Sequence, residues 1–417
     1  MERFLAFVLR ERLLVGIVLI GLIFGGLMVS PFTSDEDDWL PHFPIAADAI
    51  PDLGENQQIV FTPWPGNSPR DVEDQVTYPL TVALLGVPGV KTIRSNSIFG
   101  FSSVYIIFEE DIDFYWSRSR IIEKLNSLPQ GTLPGDVQPA LGPDSTGLGQ
   151  VYWYTLEGRD ENGNPSEGFD LDELRAVQDW TVRYALTAVS GVSEVASIGG
   201  FEREYSVEVN PESLHAFDVD LKEVQNAVRG SNMETGAGLL EFNRVEYILR
   251  GKGWIKDASD IASAPIRARD GTALTVGDVA HVTLAPGPRR GALDKDGHEV
   301  VGGVITVRYG TNPLEVLDRV KEEIARIAPS LPKFTLPDGT VSQVTIVPFY
   351  DRTGLIHETL GTLEEALTLE VLVTMVVILL MLLRLRAALL VALSLPVTVL
   401  GAFVLMKAFG IEANIVA

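Results

Sequence analysis

Cysteine is absent from all 417 residues, which removes a disulfide framework, a thiolate metal site and a cysteine nucleophile together. Histidine is scarce: His42, His215, His281, His298 and His357 stand singly, without the spacing that brings two imidazoles to one metal. No G-x-S-x-G, H-E-x-x-H or phosphate loop occurs, so the chain carries no catalytic signature and is expected to be neither an enzyme nor a cofactor binder. Methionine is also thin. Six are present, and Met233 is the only one between residues 31 and 365, so that stretch cannot by itself assemble a multi-thioether site for a soft ion.

What the chain has in excess is apolar length, with 46% hydrophobic residues and a mean hydropathy of +0.18. Three runs hold most of it: Leu13 to Val29 without a charge, Ala366 to Leu383 with Glu370 as its only charge, and Ala387 to Met406 without one. At about 1.5 Å per helical residue each approaches or reaches the roughly 30 Å of a bilayer core. Residues 1–30 and 366–417 each carry a net charge of +1, which leaves −25 on residues 31–365. Arg3, Arg10 and Arg12 precede the first run, and Arg384 and Arg386 sit between the last two. The positive-inside rule therefore predicts the acidic middle outside and a tight turn at Arg384-Leu385-Arg386 inside. A cleaved signal peptide is the alternative for the first run. The Gly21-to-Gly25 spacing instead suits close helix packing in a membrane.

The middle segment alternates strand and helix, and it repeats. A strand at Gln58 to Thr62 leads to a helix from Ser68-Pro69 to Leu85, then to two strands around Phe99-Gly100. A second strand, Val151 to Leu156, leads to a helix from Asp170 to Ala188, then to two strands around Gly199-Gly200. Gly89 and Gly191 hold the same place, 102 residues apart. Buried stripes are expected at Val72, Val76, Leu80 and Ala83 and at Leu174, Val177, Trp180 and Tyr184. A third unit runs from Val300 to Tyr309 through a helix starting at Asn312-Pro313, with Leu314, Leu317, Val320, Ile324 and Ile327 on one face, to a strand at Val341 to Phe349. Helices on one side of mixed sheets predict ferredoxin-like split βαβ modules. The glycine-dense stretch between the second and third units reads as an inserted subdomain, with GSNMETGAGLLEF as a long exposed hairpin or loop.

Few residues suggest chemistry. Asp35 to Asp38, close to His42, would concentrate cations beside the membrane, or form a solvated linker. Glu370 is the one acid in an apolar run, and Met375, Met381 and Met406 offer thioethers there; ordinary interfacial and packing roles compete for all four. Pro396, flanked by Ser394 and Thr398, marks a kink.

The order of these parts, with the string DAIPDLGENQQIVFTPWPGNSPRDVEDQVTYPLTVALLGVPGVKTIRSNSIFG from Asp48 to Gly100, then GPDSTGLGQVYWYTLEG, AVQDWTVRYAL and VPFYDRTGLIHETL, resembles the resistance-nodulation-division (RND) superfamily of exporters, and most of all its heavy-metal efflux branch. The acidic stretch Pro31 to Ala47 is longer than that pattern expects. The resemblance implies a membrane protein of class α+β: residues 1–30 hold a cytoplasmic start and the first transmembrane helix, and 31–47 are an acidic linker. Residues 48–140 would be a first porter module, 141–195 with 288–349 a second, and 196–287 a docking subdomain. A connector at 350–365 would lead to transmembrane helices at 366–383 and 387–406, and 410–417 would begin a fourth, with the proton-carrying aspartate beyond Ala417. It further implies a homotrimer in the bacterial inner membrane, with residues 31–365 in the periplasm. The trimer would work with a periplasmic adaptor and an outer-membrane channel to export metal cations against protons, in contact with lipid and with no nucleic acid. In that picture the loop carrying Met233, Gly236, Gly238 and Phe242 reaches a neighbouring protomer, and no metal-binding residue carries over. Export of drugs or other amphiphilic compounds is the alternative within transport; a membrane-anchored sensor and a tethered periplasmic enzyme are the alternatives outside it.

Overall fold

The computed structural model describes residues 10–413 apart from 33–40, 42, 51–53, 136, 252, 270–271, 290, 383–384 and 412; the side-chain surroundings of 12, 235, 237, 249–250, 268–269, 272, 382 and 385–392 lie outside it as well. The stretch Asp35 to Asp38, His42 and Arg384 therefore fall outside the described residues.

The first module is built on β1 (Gln57–Pro63), whose period-two alternation sends Gln58, Val60 and Thr62 inward. It pairs antiparallel with β3 (Phe101–Phe108) and with the short β4 (Ala140–Leu141), while β2 (Val90–Ile98) lies outside β3, giving the order β2-β3-β1-β4. Helices α2 (residues 69–84) and α3 (Phe114–Asn126) cover one face, packing Val76, Leu80, Leu84 and Ile121 on Val60, Val104, Ile106 and Phe108. Helix α2 starts where Ser68 accepts the Asp71 amide at 3.2 Å and Pro69 occupies the first turn. It then runs in three pieces: Pro69–Val72, a wider π turn Glu73–Thr77, and Tyr78–Leu84.

That π turn corrects the expected stripe. A π turn inserts one residue into the helical count, so the inward positions fall every fourth residue, at Val72, Val76, Leu80 and Leu84, and Ala83 is displaced to partial exposure. Helix α4 repeats the device as Leu171–Val177, a π turn Gln178–Val182 and Arg183–Thr187, behind an Asp170–Glu173 capping box. Its inward stripe is Leu174, Gln178, Val182 and Leu186, each 102 residues beyond its counterpart. Trp180 and Tyr184, expected inside, are 71% and 61% exposed and stack on each other with centroids 6.2 Å apart.

The second module combines the second and third units of the repeat. Strands β5 (Gln150–Arg159), β6 (Val192–Gly199), β14 (His298–Val307) and β16 (Val341–Asp351) take the order β6-β14-β5-β16, the same plan as the first. Helices α4 and α9 (Pro313–Ile327) share its one covered face, where Tyr152, Tyr154, Leu156, Val301 and Ile305 meet Leu186, Val316, Leu317 and Val320. Asn312 caps α9 by accepting the Leu314 amide. Gly191 precedes β6 at φ +94°, and a Cβ there would lie 2.5 Å from Val316 Cγ2; Gly89 precedes β2 at φ +79°, 2.8 Å from Ile112 Cδ1. Both corners need glycine for conformation and for room.

Between β6 and β14 the chain builds the inserted subdomain. The strand after Gly199-Gly200, β7 (Arg203–Val209), does not pair back on β6; it pairs with β12 (Ala280–Pro286). Strand β6 itself runs through Gly199 in register with β14, so residues 196–199 belong to the second sheet rather than to the insertion. The insertion has its own core of Val219, Val224, Ile261, Ala264, Val276 and Val279, around the short helices α5 (Pro211–Phe217), α6 (Leu221–Ser231), α7 (Ala258–Ala262) and α8 (Val276–Val279). Strands β8 (Thr235–Phe242) and β9 (Val245–Gly251) project as a hairpin turning at Asn243 and Arg244, both at positive φ.

Outside the modules and the insertion, the described residues form three long helices: α1 (Arg12–Val29), α10 (Arg352–Leu382) and α11 (Leu385–Phe409), with Pro396 inside the last. The segment 350–365, expected as a connector, is instead the end of β16 and the start of α10. Among the described residues no helix is long and apolar enough to cross a membrane. The apolar runs of the sequence continue through 382–392, whose side chains are outside the described set. Helix α1 packs on α11 at Gly26, where a Cβ would stand 2.5 Å from Leu400 Cβ, and at Gly25, 3.6 Å from Val404; Gly21, expected in this contact, has open space around it. Ile45, Phe403 and Ala413, with Phe32, Leu367 and Met406, close one end of the helices.

Candidate functional site

The two modules meet where Tyr309, just past β14, stacks on Phe114 at 4.4 Å and accepts the Tyr115 hydroxyl on its carbonyl at 3.2 Å. Arg118 on α3 fastens the chain between the modules, donating to Gln58 Oε1 at 3.0 Å and to the carbonyls of Gly142 and Pro143 at 2.8 and 2.9 Å. Burial pulls this guanidinium below its ordinary pKa, against the opposing pull of Asp144. Burial, with Asp144 adding to it, raises the Tyr115 phenol. Asp144 in turn accepts Ser193 at 2.5 Å and faces Arg308 at 3.6 Å.

Beside this seam opens a cleft of about 480 Å³. The strands explain its lining: β5 sends Tyr152, Tyr154 and Leu156 toward the helices, so Trp153 faces the other way, and Glu194, Ala196 and Ile198 of β6 share that open face. Across the cleft stand Glu55, just before β1, and Gln57 and Ile59 on it, with Ser145, Thr146 and Leu148 of the inter-module chain at its edge. Two carboxylates, two amides (Gln57 and Gln150) and the hydroxyls of Ser145, Thr146 and Thr306 offer oxygen donors; among the described residues no thioether or imidazole lines it. Such a lining suits hard or borderline cations better than soft ones. Glu55 is within 3.8 Å of Lys91, an exposed pair of little energetic weight.

Two further polar groupings edge the second sheet. Glu157 pairs with Lys295 and Arg159 and accepts Thr155 at 2.6 Å. Burial alone would raise its pKa, but these hydrogen bonds prevail and hold the carboxylate below its usual range. Asp351 is governed likewise: burial opposes ionisation, and Lys321 at 2.7 Å with the Thr353 hydroxyl and amide overcomes it. Burial, with Asp351 as a lesser cause, pushes the nearby Tyr152 up to about 12. Next along the chain, Arg352 is 2% exposed and pairs with Asp48 at 3.0 Å.

The candidates read from the sequence do not converge. Met233 (60% exposed) precedes the β8–β9 hairpin, Gly236 and Gly238 lie on β8, and Phe242 is exposed at its turn. Glu370 and Met381 are exposed, Met375 lines an apolar groove against Leu400 and Phe403, and Met406 packs into the Ile45–Phe403 cluster. Among the described residues no three His, Cys, Asp or Glu side chains gather as a metal site. Sequence reasoning missed Glu55, Glu194 and Arg352. Strand periodicity places Glu194 on the face opposite Val192 and Val195 only once the bulge at β14 is known, and Arg352 was visible only as a letter in the VPFYDRTGL string.

Known proteins share this layout. The cation efflux system protein CusA of Escherichia coli K12 is 41% identical over 372 residues, covering 89% of this chain and 34% of CusA. The cobalt-zinc-cadmium resistance protein CzcA of Cupriavidus metallidurans is 33% identical over 418 residues, covering 100% of this chain and 37% of CzcA. The crystal structure of a heavy metal efflux pump superposes with a TM-score of 0.81 at 28% identity, over 99% of this chain and 38% of that one. The chain thus spans about a third of the length of the relatives it matches. Since the AcrB/AcrD/AcrF family pattern also matches from residue 4 to residue 417, across both modules, the insertion and all the apolar helices, the chain belongs to the AcrB/AcrD/AcrF family.

Proposed function

We propose that the chain forms the N-terminal part of an RND pump that exports heavy-metal cations, with the inter-module cleft as part of the cargo path. The observation that carries this reading is the oxygen-lined cleft, held between two modules that have separate cores. The names of the relatives point the same way. Helices α1, α10 and α11 are proposed as membrane spans. In support, Leu13, Ile17, Ile20, Leu369, Leu380 and Leu405 are exposed on them, an arrangement that water penalises and lipid does not. At 31 residues α10 is about 46 Å long, enough to cross a bilayer core and project beyond it. The same reading makes the modules periplasmic porter subdomains and the insertion a docking subdomain whose β8–β9 hairpin, with Leu239, Phe242 and Ile248 exposed, reaches a second protomer of a trimer. Proton coupling and a tripartite assembly with an adaptor and an outer-membrane channel complete the proposal.

The test is cation uptake by inverted vesicles carrying the whole pump, with Zn²⁺ and Ag⁺ as probes. Glu194→Gln is expected to raise the KM for Zn²⁺ about tenfold, the loss of one charge-assisted ligand, with little change in turnover. An unchanged KM in both the Glu194→Gln and Glu55→Gln variants would remove the cleft from the cargo path.

A further inference from the structure

Arg352 stands at the junction between strand β16 and helix α10, with no linker on either side. Its side chain is buried and touches three residues on two separate stretches of chain. Nε pairs with Asp48 Oδ1 at 3.0 Å, Nη1 donates to the Leu148 carbonyl at 2.8 Å, and Nη2 to the Ile50 carbonyl at 3.4 Å. The two stretches lead to different places. Asp48 and Ile50 belong to the strand of chain arriving from α1, which is also bridged to the segment after α11: the Asp48 amide donates to the Ala413 carbonyl and the Ala413 amide to the Ala46 carbonyl. Leu148 lies in the inter-module chain that lines the cleft.

We infer that Arg352 is a positioning residue for transport: it ties the first turn of α10 to the cleft edge at Thr146–Leu148 and to the incoming chain from α1, so that these parts move as one body. The inference rests on the export reading of the cleft. Three features carry it. A guanidinium offers a planar fork that a lysine cannot reproduce, and here its nitrogens are divided among partners from two different segments. The carboxylate and guanidinium are both buried, so neither partner can be satisfied by water without opening the junction. Finally, the Leu148 carbonyl is held by a side chain of α10 and not by a strand neighbour, so the cleft edge takes its position from the helix.

Two measurements test this. Hydrogen exchange on the 417-residue chain in nanodiscs compares the wild type with Arg352→Gln and Arg352→Lys. In Arg352→Gln the amides of Gly147–Gln150 should exchange about tenfold faster or more, while those of Val60 and Val104 in the first core stay unchanged. Arg352→Lys should keep Asp48 paired, and with it the protection of Ala413, yet still loosen Gly147–Gln150. The second measurement is Zn²⁺ uptake by the whole pump. Arg352→Gln should lower turnover about tenfold with KM within about twofold. Wild-type turnover in a folded Arg352→Gln protein would overturn the inference, and so would a raised KM at full turnover, which would mark a cargo ligand. If Arg352→Gln does not fold, Arg352→Lys decides, and full protection with full turnover there overturns the inference as well. If the wild-type pump moves no cation, the export reading fails, while the exchange arm still decides whether Arg352 holds the cleft edge.

Discussion

The two modules are built on one plan and part at one place. Both have strands in the same order, a capped first helix broken by a π turn, buried positions 102 residues apart and a positive-φ glycine at the same corner. In the first, Phe99 and Gly100 alone join the second strand to the third; in the second, residues 200–297 do so. The sheet order is the same either way, because it is decided by which strand faces the two helices bury and not by the length of the connection. The insertion is tolerated because its ends return to each other: the Gly287 amide donates to the Glu202 carbonyl at 2.7 Å, so the second module meets a closed loop of chain.

Substitutions at equivalent places test how equal the modules are. Leu84→Ala and Leu186→Ala each remove a fully buried side chain from the same position in the plan and should each cost about 2–5 kcal/mol. Hydrogen exchange resolved by module is expected to confine each loss to its own core. Equal losses spread over both modules would show that they unfold as one unit. The corner glycines should separate the modules more. Gly191→Ala combines a left-handed backbone with a clash against branched Val316 and should cost about 2–4 kcal/mol. For Gly89→Ala the obstacle is the movable end of Ile112, and about 1–2 kcal/mol is expected, chiefly from the backbone.

The Glu157 cluster gives a smaller and pH-dependent difference. A carboxylate with a depressed folded pKa contributes its full stability above its unfolded value and loses it as pH falls through the folded one. The second module should therefore weaken on acidification below the ordinary carboxylate range, and Glu157→Gln should flatten that dependence in a pH series of exchange rates. An unaltered slope would mean that Lys295 and Arg159 do not act on Glu157 in solution. The least effect belongs to the exposed helix face: Trp180→Ala should change stability by no more than about 0.5 kcal/mol. A loss of several kcal/mol would restore Trp180 to the core and undo the correspondence with the first module.

Strand and helix ends were legible because their signals are local: Ser68, Asp170 and Asn312 as caps, Gly89 and Gly191 as corners, and alternation along β1 and β5. The buried stripes were less so. An ideal helical period favours Trp180 and Tyr184, and nothing in one sequence announces the π turn that replaces them with Val182 and Leu186. Trp180 and Tyr184 are also large and aromatic, which biases any pattern toward burying them. The pairing of β7 with β12 instead of β6 is a contact between residues some eighty positions apart and leaves no local mark. The cleft was hidden for the same reason: its walls come from β1, β5, β6 and β14, and Glu55 and Glu194 look like solvated acids until those strands are placed. In the helices, glycine spacing suggested a close approach, but Gly26 makes it in place of Gly21, because the contact depends on the azimuth at which α11 arrives.

The return of the insertion on itself also sets an order of assembly. Strands β2 and β3 can find each other as soon as both are made, whereas β6 must wait for β14, about a hundred residues later. An open chain of that length would make the meeting slow. Once β7 and β12 have paired, however, β6 and β14 are delivered side by side, and the search shrinks to that of a short loop. The first module is then an early folder and the insertion a nucleus of its own, while the sheet that forms one wall of the cleft closes last. Chain emerging from a ribosome or a translocon would hold β5 and β6 both unpaired through the synthesis of the whole inserted subdomain, so these two strands are the ones that need protection during biogenesis.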